Sequence, residues 1–247
     1  MSTIADRLGD LKREIPSGVQ LVAVSKFHPV ERLMEAYGAG QRVFAESRPQ
    51  ELSAKVPQMP ADVQWHFIGH LQTNKLKLVL PYVTLVQSVD SLHLLEAISA
   101  WAMANKKVID VLLELHLGAE ETKQGFTEDE ILSILALWSL KSAEMKDEVP
   151  QTASSSSILA QNKDDILAPL KSIRIRGLMG MASNTEDMAQ VEGEFARIEA
   201  LYKRIKASGL EGFDTLSIGM SGDWPLAVKH GATMVRIGTD IFGPREY

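Results

Sequence analysis

Short runs of β-branched and aromatic residues alternate along the chain with stretches whose apolar residues recur at helical spacing. The clearest helix is predicted over residues 185–208, where Val191, Phe195 and Ile198 fall on one face. Strands that alternate with helices indicate a parallel sheet, and eight of them favour closure into a (β/α)8 TIM barrel. A doubly wound open sheet is the structural alternative. The predicted strands cover residues 21–26, 42–46, 64–68, 85–88, 109–116, 173–179, 215–218 and 234–238.

Cap residues mark the ends of several predicted helices. Thr127 and Glu130 have the spacing of a capping box, in which each side chain satisfies a free backbone N–H at a helix start. Gly40, Gly209 and Gly231 stand where helices are expected to end in the left-handed conformation that glycine adopts at little cost. These signals agree with the division into strands and helices.

The length of the chain fits one barrel. Barrels of this kind reach 247 residues as a single unit, so we predict one domain over residues 1–247. The alternation is interrupted at about residues 141–165, where the segments EMKDEVP, QTASSSS and QNKDD are polar and rich in serine. This composition predicts a solvated surface insertion before the sixth strand.

Composition excludes several classes of function. The net charge is −6 and no basic patch occurs, so we expect no nucleic-acid partner. The absence of cysteine excludes disulfides, thiolate metal sites and cysteine nucleophiles. The first residues lack the apolar core of a secretory signal, and no apolar run is long enough to span a bilayer. We therefore expect a cytoplasmic protein with no membrane partner.

Lys26 is the first candidate for chemistry. It ends the predicted strand LVAVSK, and two-residue alternation puts it on the face that carries Val22 and Val24. At the C-terminal end of a barrel strand this face opens to the mouth, where active sites are built. Partial burial there favours a neutral amine, which can attack an aldehyde. The alternative is a lysine whose stem packs while its ammonium group reaches water.

The loops after the last two strands predict a phosphate site. The segment TLSIGMSGD places Ser217, Gly219 and Ser221 at the end of strand seven, and MVRIGTDIFG places Gly238 and Thr239 at the end of strand eight. Glycines let phosphate approach backbone N–H groups, and hydroxyls add donors. A short helix predicted over residues 223–230 would point its positive N-terminus at the same place. Barrels often bind phosphate in these two loops, although two turns that only close the fold are the alternative.

Arg236 alternates with apolar neighbours in MVRIGT, so it points either into the barrel or into the helix layer. A buried guanidinium group needs a partner. One candidate partner is a structural carboxylate, and another is the ring nitrogen of a pyridine cofactor. A permanently charged donor would keep that nitrogen unprotonated, and the ring would then be a poorer electron sink.

The remaining polar candidates point to no particular chemistry. His66 and His70 have no carboxylate pattern that suggests a metal site, so we interpret them as packed or loop residues. Glu114 and His116 alternate along the fifth strand and face either the mouth or the sheet edge. The sequence has no Walker loop, nucleophile elbow or dinucleotide fingerprint. We assign no catalytic residue and no metal ligand.

Several motifs, taken in order, resemble one known family. LVAVSK, WHFIGHLQTNK, RIRGLM, LSIGMSGD and MVRIGTDIFG are together similar to the pyridoxal phosphate homeostasis proteins, whose barrel is similar to the N-terminal barrel of alanine racemases. The resemblance runs from about Leu21 to Tyr247 and implies pyridoxal 5′-phosphate (PLP) held as a Schiff base on Lys26. It also implies a ring-nitrogen contact from Arg236 and a place beside the cofactor for Met220. The implied phosphate contacts come from Ser217, Gly219, Ser221 and the Gly238–Thr239 turn.

The chain departs from the family pattern in two motifs and in its serine-rich insertion, which is longer than expected. Where the family commonly has F-G-E-N, this chain has Ala45 for the glycine and Ser47 for an asparagine that approaches the cofactor. Trp224 and Pro225 replace the more usual Met–Glu after the G-M-S-x-D motif. These changes bear on ring contacts and loop motion, and leave the lysine and the phosphate loops in place.

The resemblance implies a carrier rather than an enzyme. Such a protein would bind PLP reversibly, buffer the free aldehyde and deliver it to PLP-dependent apoenzymes, and we expect it to be a monomer. The first alternative is an amino-acid racemase that uses Lys26 as a base. Alanine racemases take a second base from an additional domain, which we do not expect here because the chain ends at Tyr247, shortly after strand eight. The second alternative is a Schiff-base aldolase acting on a sugar phosphate.

Overall fold

Eight strands and eight helices make up most of the residues that the structure describes. The computed structural model describes residues 2–118, 124–144, 170 and 172–244. The strands are β1 (Gln20–Val24), β2 (Val43–Glu46), β3 (Gln64–Phe67), β4 (Val83–Val89), β5 (Ile109–Leu115), β6 (Ile173–Gly180), β7 (Thr215–Ser217) and β8 (Met234–Ile237). The α-helices are α1 (Ile4–Glu14), α2 (Val30–Gly38), α3 (Pro49–Lys55), α4 (Leu92–Ala104), α5 (Glu128–Glu144), α6 (Met188–Ala207), α7 (Trp224–Lys229) and α8 (Thr239–Phe242).

The strands form a closed parallel barrel. They follow one another around it in chain order, and β8 pairs with β1 through Leu21–Val235 and Val22–Arg236. The predicted TIM barrel is confirmed, and the open sheet is wrong because β1 and β8 are hydrogen-bonded to each other. All eight strands occur where the hydrophobic runs predict them, with ends that differ by a few residues.

Side chains of the strands alternate between two apolar layers. The larger layer lies between the sheet and the helices and includes Phe44, Phe67 and Phe195. The smaller layer fills the barrel interior and consists of Val22, Val43, Ala45, Leu85, Leu112, Met179 and Met234, with Val24 and Ile68 packed against it. A residue two positions beyond one of these in the same strand therefore also points into the barrel, closer to its C-terminal mouth.

Helix ends follow the predicted caps. The amide of Glu130 donates to Thr127 Oγ1 at 3.3 Å, and the amide of Thr127 donates to Glu130 Oε2 at 2.8 Å, which completes the capping box. The helix predicted from residue 185 begins at Met188 instead, because the Asp187 side chain accepts hydrogen bonds from the next free amides and caps α6 there. Positive φ angles of 85°, 78° and 77° occur at Gly40, Gly209 and Gly231.

Two further predictions concern regions beyond the barrel strands. Of the predicted serine-rich insertion, α5 reaches Glu144, and residues 145–165 lie outside the described part of the chain. Among the helices that the structure describes, none combines the length and the apolar character needed to cross a membrane.

Candidate functional site

Lys26 lies in a turn at the mouth of the barrel. β1 ends at Val24, so the lysine follows the strand by two residues rather than ending it. The amide of His28 donates to the carbonyl of Ser25 at 3.1 Å and closes a β-turn with Lys26 at its second position. Phe27, at the third position, has a φ of 69°, which costs a non-glycine residue about 1–2 kcal/mol. The predicted orientation of Lys26 is confirmed, because Lys26 lines the cavity at the mouth.

This cavity has a volume of about 320 Å³, which is at the lower end of the range for small-molecule sites. Its wall is built from the C-terminal ends of β1 to β6 and the loops that follow them. Ser47, which follows β2, is part of the wall, and Gly69 packs so closely on it that an added Cβ would lie 2.1 Å from the Ser47 carbonyl oxygen. The lining residues are Lys26, Ser47, Ile68, Gly69, His70, Ser88, Glu114, Leu115, Leu117, Gln124 and Met181.

A chain of hydrogen bonds crosses the barrel interior below this cavity. Gln87 Nε2 lies 2.9 Å from His66 Nδ1, and the Ser217 hydroxyl donates to Gln87 Oε1 at 2.7 Å. Arg236 Nη1 in turn donates to Ser217 Oγ at 2.7 Å. Burial lowers the pKa of His66 to about 4, so the imidazole is neutral and accepts from Gln87. The prediction of a packed His66 is confirmed.

Arg236 points into the barrel and is almost fully buried. Its other hydrogen bonds go to the carbonyl oxygens of Ser217, at 2.8 Å, and Gly180, at 2.9 Å. All its hydrogen bonds within the described chain therefore go to neutral oxygens. Burial lowers the pKa of Arg236 to about 10, and the nearby carboxyl groups of Glu114 and Asp223 offset part of that effect, so the guanidinium group stays charged at neutral pH.

Glu114 brings a titratable carboxyl group to the cavity wall. The sequence left its direction open; in the structure it faces the mouth and is 6% exposed. Burial and the charge of Asp90 raise the pKa of Glu114 to about 7, and Arg236 offsets part of the shift. On the same wall, His70 Nδ1 lies 2.9 Å from Asp90 Oδ2, which makes His70 a paired loop residue.

The two predicted phosphate loops lie beside this cavity and not in its lining. Gly219 has a φ of 94°, and an added Cβ there would lie 2.6 Å from Ala227 Cβ, so glycine lets the loop after β7 pack on α7. Gly238 lies against the end of β1, since its added Cβ would be 3.1 Å from the Val24 carbonyl oxygen. The loop after β8 is thus held next to the strand that leads to Lys26.

Two carboxyl groups accept hydrogen bonds from donors in these loops. The amide of Met220 donates to Asp223 Oδ1 at 2.5 Å, and the Ser221 hydroxyl is hydrogen-bonded to Asp240. Burial raises the pKa of both carboxyl groups. The side chain of Met220 is 38% exposed, and that of Thr239 is exposed as well.

The structure thus brings the candidate residues to one end of the barrel in two groups. Lys26 lies on the cavity wall, with Arg236 and Ser217 below it, and the Gly219–Ser221 and Gly238–Thr239 loops lie to one side. Because the Ser217 hydroxyl already contacts Arg236 and Gln87, its contact with phosphate stays a prediction. Gln87 was missed by the sequence reasoning, although its alternation with Leu85 was a usable signal. The described residues contain no cluster of three or more side chains that could bind a metal ion.

Comparison with known proteins identifies the family of the chain. A family model described as "Alanine racemase, N-terminal domain" matches residues 1–146 and 159–246. The pyridoxal phosphate homeostasis protein of Vibrio alginolyticus is 33% identical over 237 residues, which are 94% of this chain and 89% of that protein. The protein of the same name from Schizosaccharomyces pombe is 34% identical over 255 residues, with 99% of this chain and 94% of that protein covered. The chain belongs to the pyridoxal phosphate homeostasis protein family.

Solved structures give the same result for the fold. PipY of Synechococcus elongatus without PLP superposes with a TM-score of 0.79 at 32% identity, covering 98% of this chain and 100% of PipY. The PipY structure with PLP bound gives a TM-score of 0.77. An alanine racemase of Clostridium difficile gives 0.70 at 12% identity over 57% of its length, which shows a shared barrel fold.

Proposed function

We propose that this chain binds PLP reversibly as a Schiff base on Lys26 and serves PLP homeostasis, without turning over a dedicated substrate. The observation that carries the proposal is the position of Lys26 on the wall of a cavity of about 320 Å³ at the mouth of the barrel. Relatives that are about a third identical over nearly the whole chain are named pyridoxal phosphate homeostasis proteins, and the similar PipY has been solved with PLP bound.

The residues present at the mouth fit a pyridine ring that carries an aldehyde and a phosphate. PLP would supply an aldehyde carbon, and the neutral amine of Lys26 could condense with it with loss of one water molecule. Arg236 lies below the cavity, and its hydrogen-bond acceptors among the described residues are all neutral oxygens, so its positive charge could attract the lone pair of a ring nitrogen. A guanidinium donor at that position would keep the nitrogen unprotonated, and the ring would then be a weaker electron sink. This favours storage of the cofactor over carbanion chemistry.

The phosphate group is assigned to the loops after β7 and β8. The backbone of Gly219, Met220 and Gly238 and the hydroxyls of Ser221 and Thr239 supply donors there, next to the start of α7. In the structure Asp223 and Asp240 accept from two of these donors. Phosphate would replace these contacts, so binding and release exchange one set of hydrogen bonds for another.

The wider role follows from the same assignment. Reversible binding at an exposed barrel mouth would let the protein buffer free PLP and pass it to PLP-dependent apoenzymes. We propose that it does so in the cytoplasm and as a monomer. Racemisation of an amino acid is the competing proposal, and it would require a proton donor on each face of the substrate.

The test is a spectrum followed by peptide mapping. PLP is added to the purified protein, absorbance is recorded before and after borohydride reduction, and the labelled peptide is identified. We expect a reducible near-visible band with the label on Lys26. Lys26→Ala should lose the band with its unfolding curve intact, whereas Lys77→Ala, at an exposed lysine, should keep it. A band that persists in Lys26→Ala would refute the proposal.

A second measurement separates a carrier from a racemase. The loaded protein is mixed with a PLP-free apoenzyme and, separately, with L-alanine. Activation of the apoenzyme without formation of D-alanine supports the carrier. Formation of D-alanine at a rate that depends on Lys26 would instead establish a racemase.

A further inference from the structure

The turn that carries Lys26 is held from outside the barrel by the helix that follows β2. Three side chains there form one connected group, Glu46 at the end of β2 and Glu51 and Lys55 on α3, which we call the Lys55 clamp. Glu46 alternates with Ala45, which faces the barrel interior, so the clamp lies on the opposite face of the sheet from the cavity. None of its members lines the cavity.

Lys55 is the centre of the clamp and is 6% exposed. Its ammonium group donates to Glu46 Oε1 and Glu51 Oε1, both at 2.7 Å, and to the carbonyl oxygen of Ser25 at 2.9 Å. All three of its protons are therefore used. The third bond is directed at the backbone of the residue that immediately precedes Lys26.

Glu46 is fully buried, and the ammonium group of Lys55 stabilises the charge of its carboxylate there. Its Oε1 also accepts from the Ser25 hydroxyl at 2.6 Å, whereas its Oε2 has no hydrogen-bond partner in the described part of the chain. Burial raises the pKa of Glu46, and Lys55 and Ser25 offset part of that shift. Ser25 is thus held through both its hydroxyl and its carbonyl.

Glu51 holds the residue on the other side of Lys26. Its Oε1 accepts from the amide of Phe27 at 2.7 Å. This is the residue with the unfavourable φ of 69°, and the guanidinium group of Arg48 lies 4.3 Å from the centre of its ring. A side chain persists in this backbone conformation only where its surroundings enforce it, and such positions cluster at functional sites.

We propose that the Lys55 clamp is a positioning device that aims the amine of Lys26 into the cavity. A buried ion pair is a poor way to gain stability, since apolar residues of similar size do as well or better. The hydrogen bonds of this group end on the backbone of Ser25 and Phe27, the two neighbours of Lys26. The inference rests on the proposed function, because it assigns a purpose to the orientation of the lysine.

Glu51→Ala tests the proposal, because Glu51 is only partly buried and its loss leaves the Lys55–Glu46 pair in place. The variant loses the hydrogen bonds from Lys55 and from the Phe27 amide, and loss of the bond that fixes Phe27 should lower the equilibrium constant for Schiff-base formation on Lys26 about tenfold. Hydrogen exchange at the Phe27 amide should accelerate in the same variant without any cofactor. Glu51→Gln keeps an oxygen that can accept from Phe27 and should restore both properties.

The chain offers a matched control on α6. Lys203 and Glu199 also form an i,i+4 pair, and the Glu199 side chain is 19% exposed, against 20% for Glu51. Glu199→Ala should leave the labelling of Lys26 and the exchange of Phe27 unchanged. If Glu51→Ala labels and exchanges like the parent chain, the clamp has no positioning role. If the parent chain itself gives no label on Lys26, the proposed function fails first, and the inference falls with it.

Discussion

Glu114→Gln should make the protein more stable in mild alkali than the parent chain, and equally stable in mild acid. Glu114 points into the barrel and is 6% exposed, with Asp90 and Arg236 as its charged neighbours. Burial raises the pKa of Glu114 from its ordinary value of 4.5 to about 7. The amide of glutamine has nearly the shape of the protonated carboxyl group and cannot ionise.

The size and sign of the effect follow from linkage between protonation and folding. Between pH 4.5 and pH 7 the folded chain binds more protons at Glu114 than the unfolded chain, so this group makes stability fall as the pH rises. The difference between the ordinary pKa of 4.5 and a pKa of about 7 corresponds to about 3 kcal/mol when titration is complete. Between pH 5 and pH 8 the parent chain should therefore lose about 2–3 kcal/mol relative to Glu114→Gln. The attraction between Arg236 and the ionised carboxyl group is already contained in the pKa of about 7, so it adds nothing further to this difference.

Urea unfolding at pH 5 and pH 8, followed by tryptophan fluorescence, measures the difference for the ligand-free protein. Glu35→Gln controls for the change in net charge, because Glu35 is exposed on α2. Its stability difference from the parent should be the same at both pH values to within about 0.5 kcal/mol. An equally constant difference for Glu114→Gln would show that the carboxyl group titrates alike in the folded and unfolded chains, and the argument from burial would be refuted.

Three other predictions concern the interior and the phosphate loops. Burial lowers the pKa of His66 to about 4, so the protein should lose stability as the pH falls below about 6.5, by about 3 kcal/mol when the loss is complete. His66→Gln should abolish this loss in urea titrations, and an equal loss in the variant would contradict the prediction. Ser221→Ala or Thr239→Ala should weaken PLP retention by about 1.5–3 kcal/mol in equilibrium dialysis; no change in either counts against the cradle. Asp240→Asn removes a carboxyl group from the same loops and should tighten retention, whereas weaker binding would show that phosphate does not bind there.

The architecture was predictable because each strand carries its own hydrophobic signal. Eight runs separated by helical patterns leave few topologies, and the alternation in β1 places Lys26 on the inner face without knowledge of the fold. The end of β1 was predicted two residues too far, since the hydrogen bond from the His28 amide to the Ser25 carbonyl turns the chain after Val24. Such a turn normally has glycine at the third position, where this chain has Phe27, so the sequence does not predict the turn.

The polar interior was only partly predictable. The alternation of Arg236 with apolar neighbours allowed it to face either the barrel interior or the helix layer. The closed barrel places it in the interior. Lys55, four residues after Glu51, has the pattern of an exposed helix pair, and its burial depends on how α3 packs on the turn after β1. Contacts between residues far apart in sequence, such as that of Ser217 with Gln87, depend on the register of the strands, and no local sequence pattern predicts them.

The two polar groups of this protein lie on opposite faces of one sheet, and this has a consequence for redesign. The interior network reaches Arg236, whereas the Lys55 clamp reaches the turn of Lys26, and no residue belongs to both. Substitutions in separate networks tend to add. Under the proposed function, the contact with the cofactor ring and the orientation of Lys26 should therefore be adjustable independently of each other. A sensor or a slow-release reservoir could be built on this barrel by adjusting one and leaving the other alone.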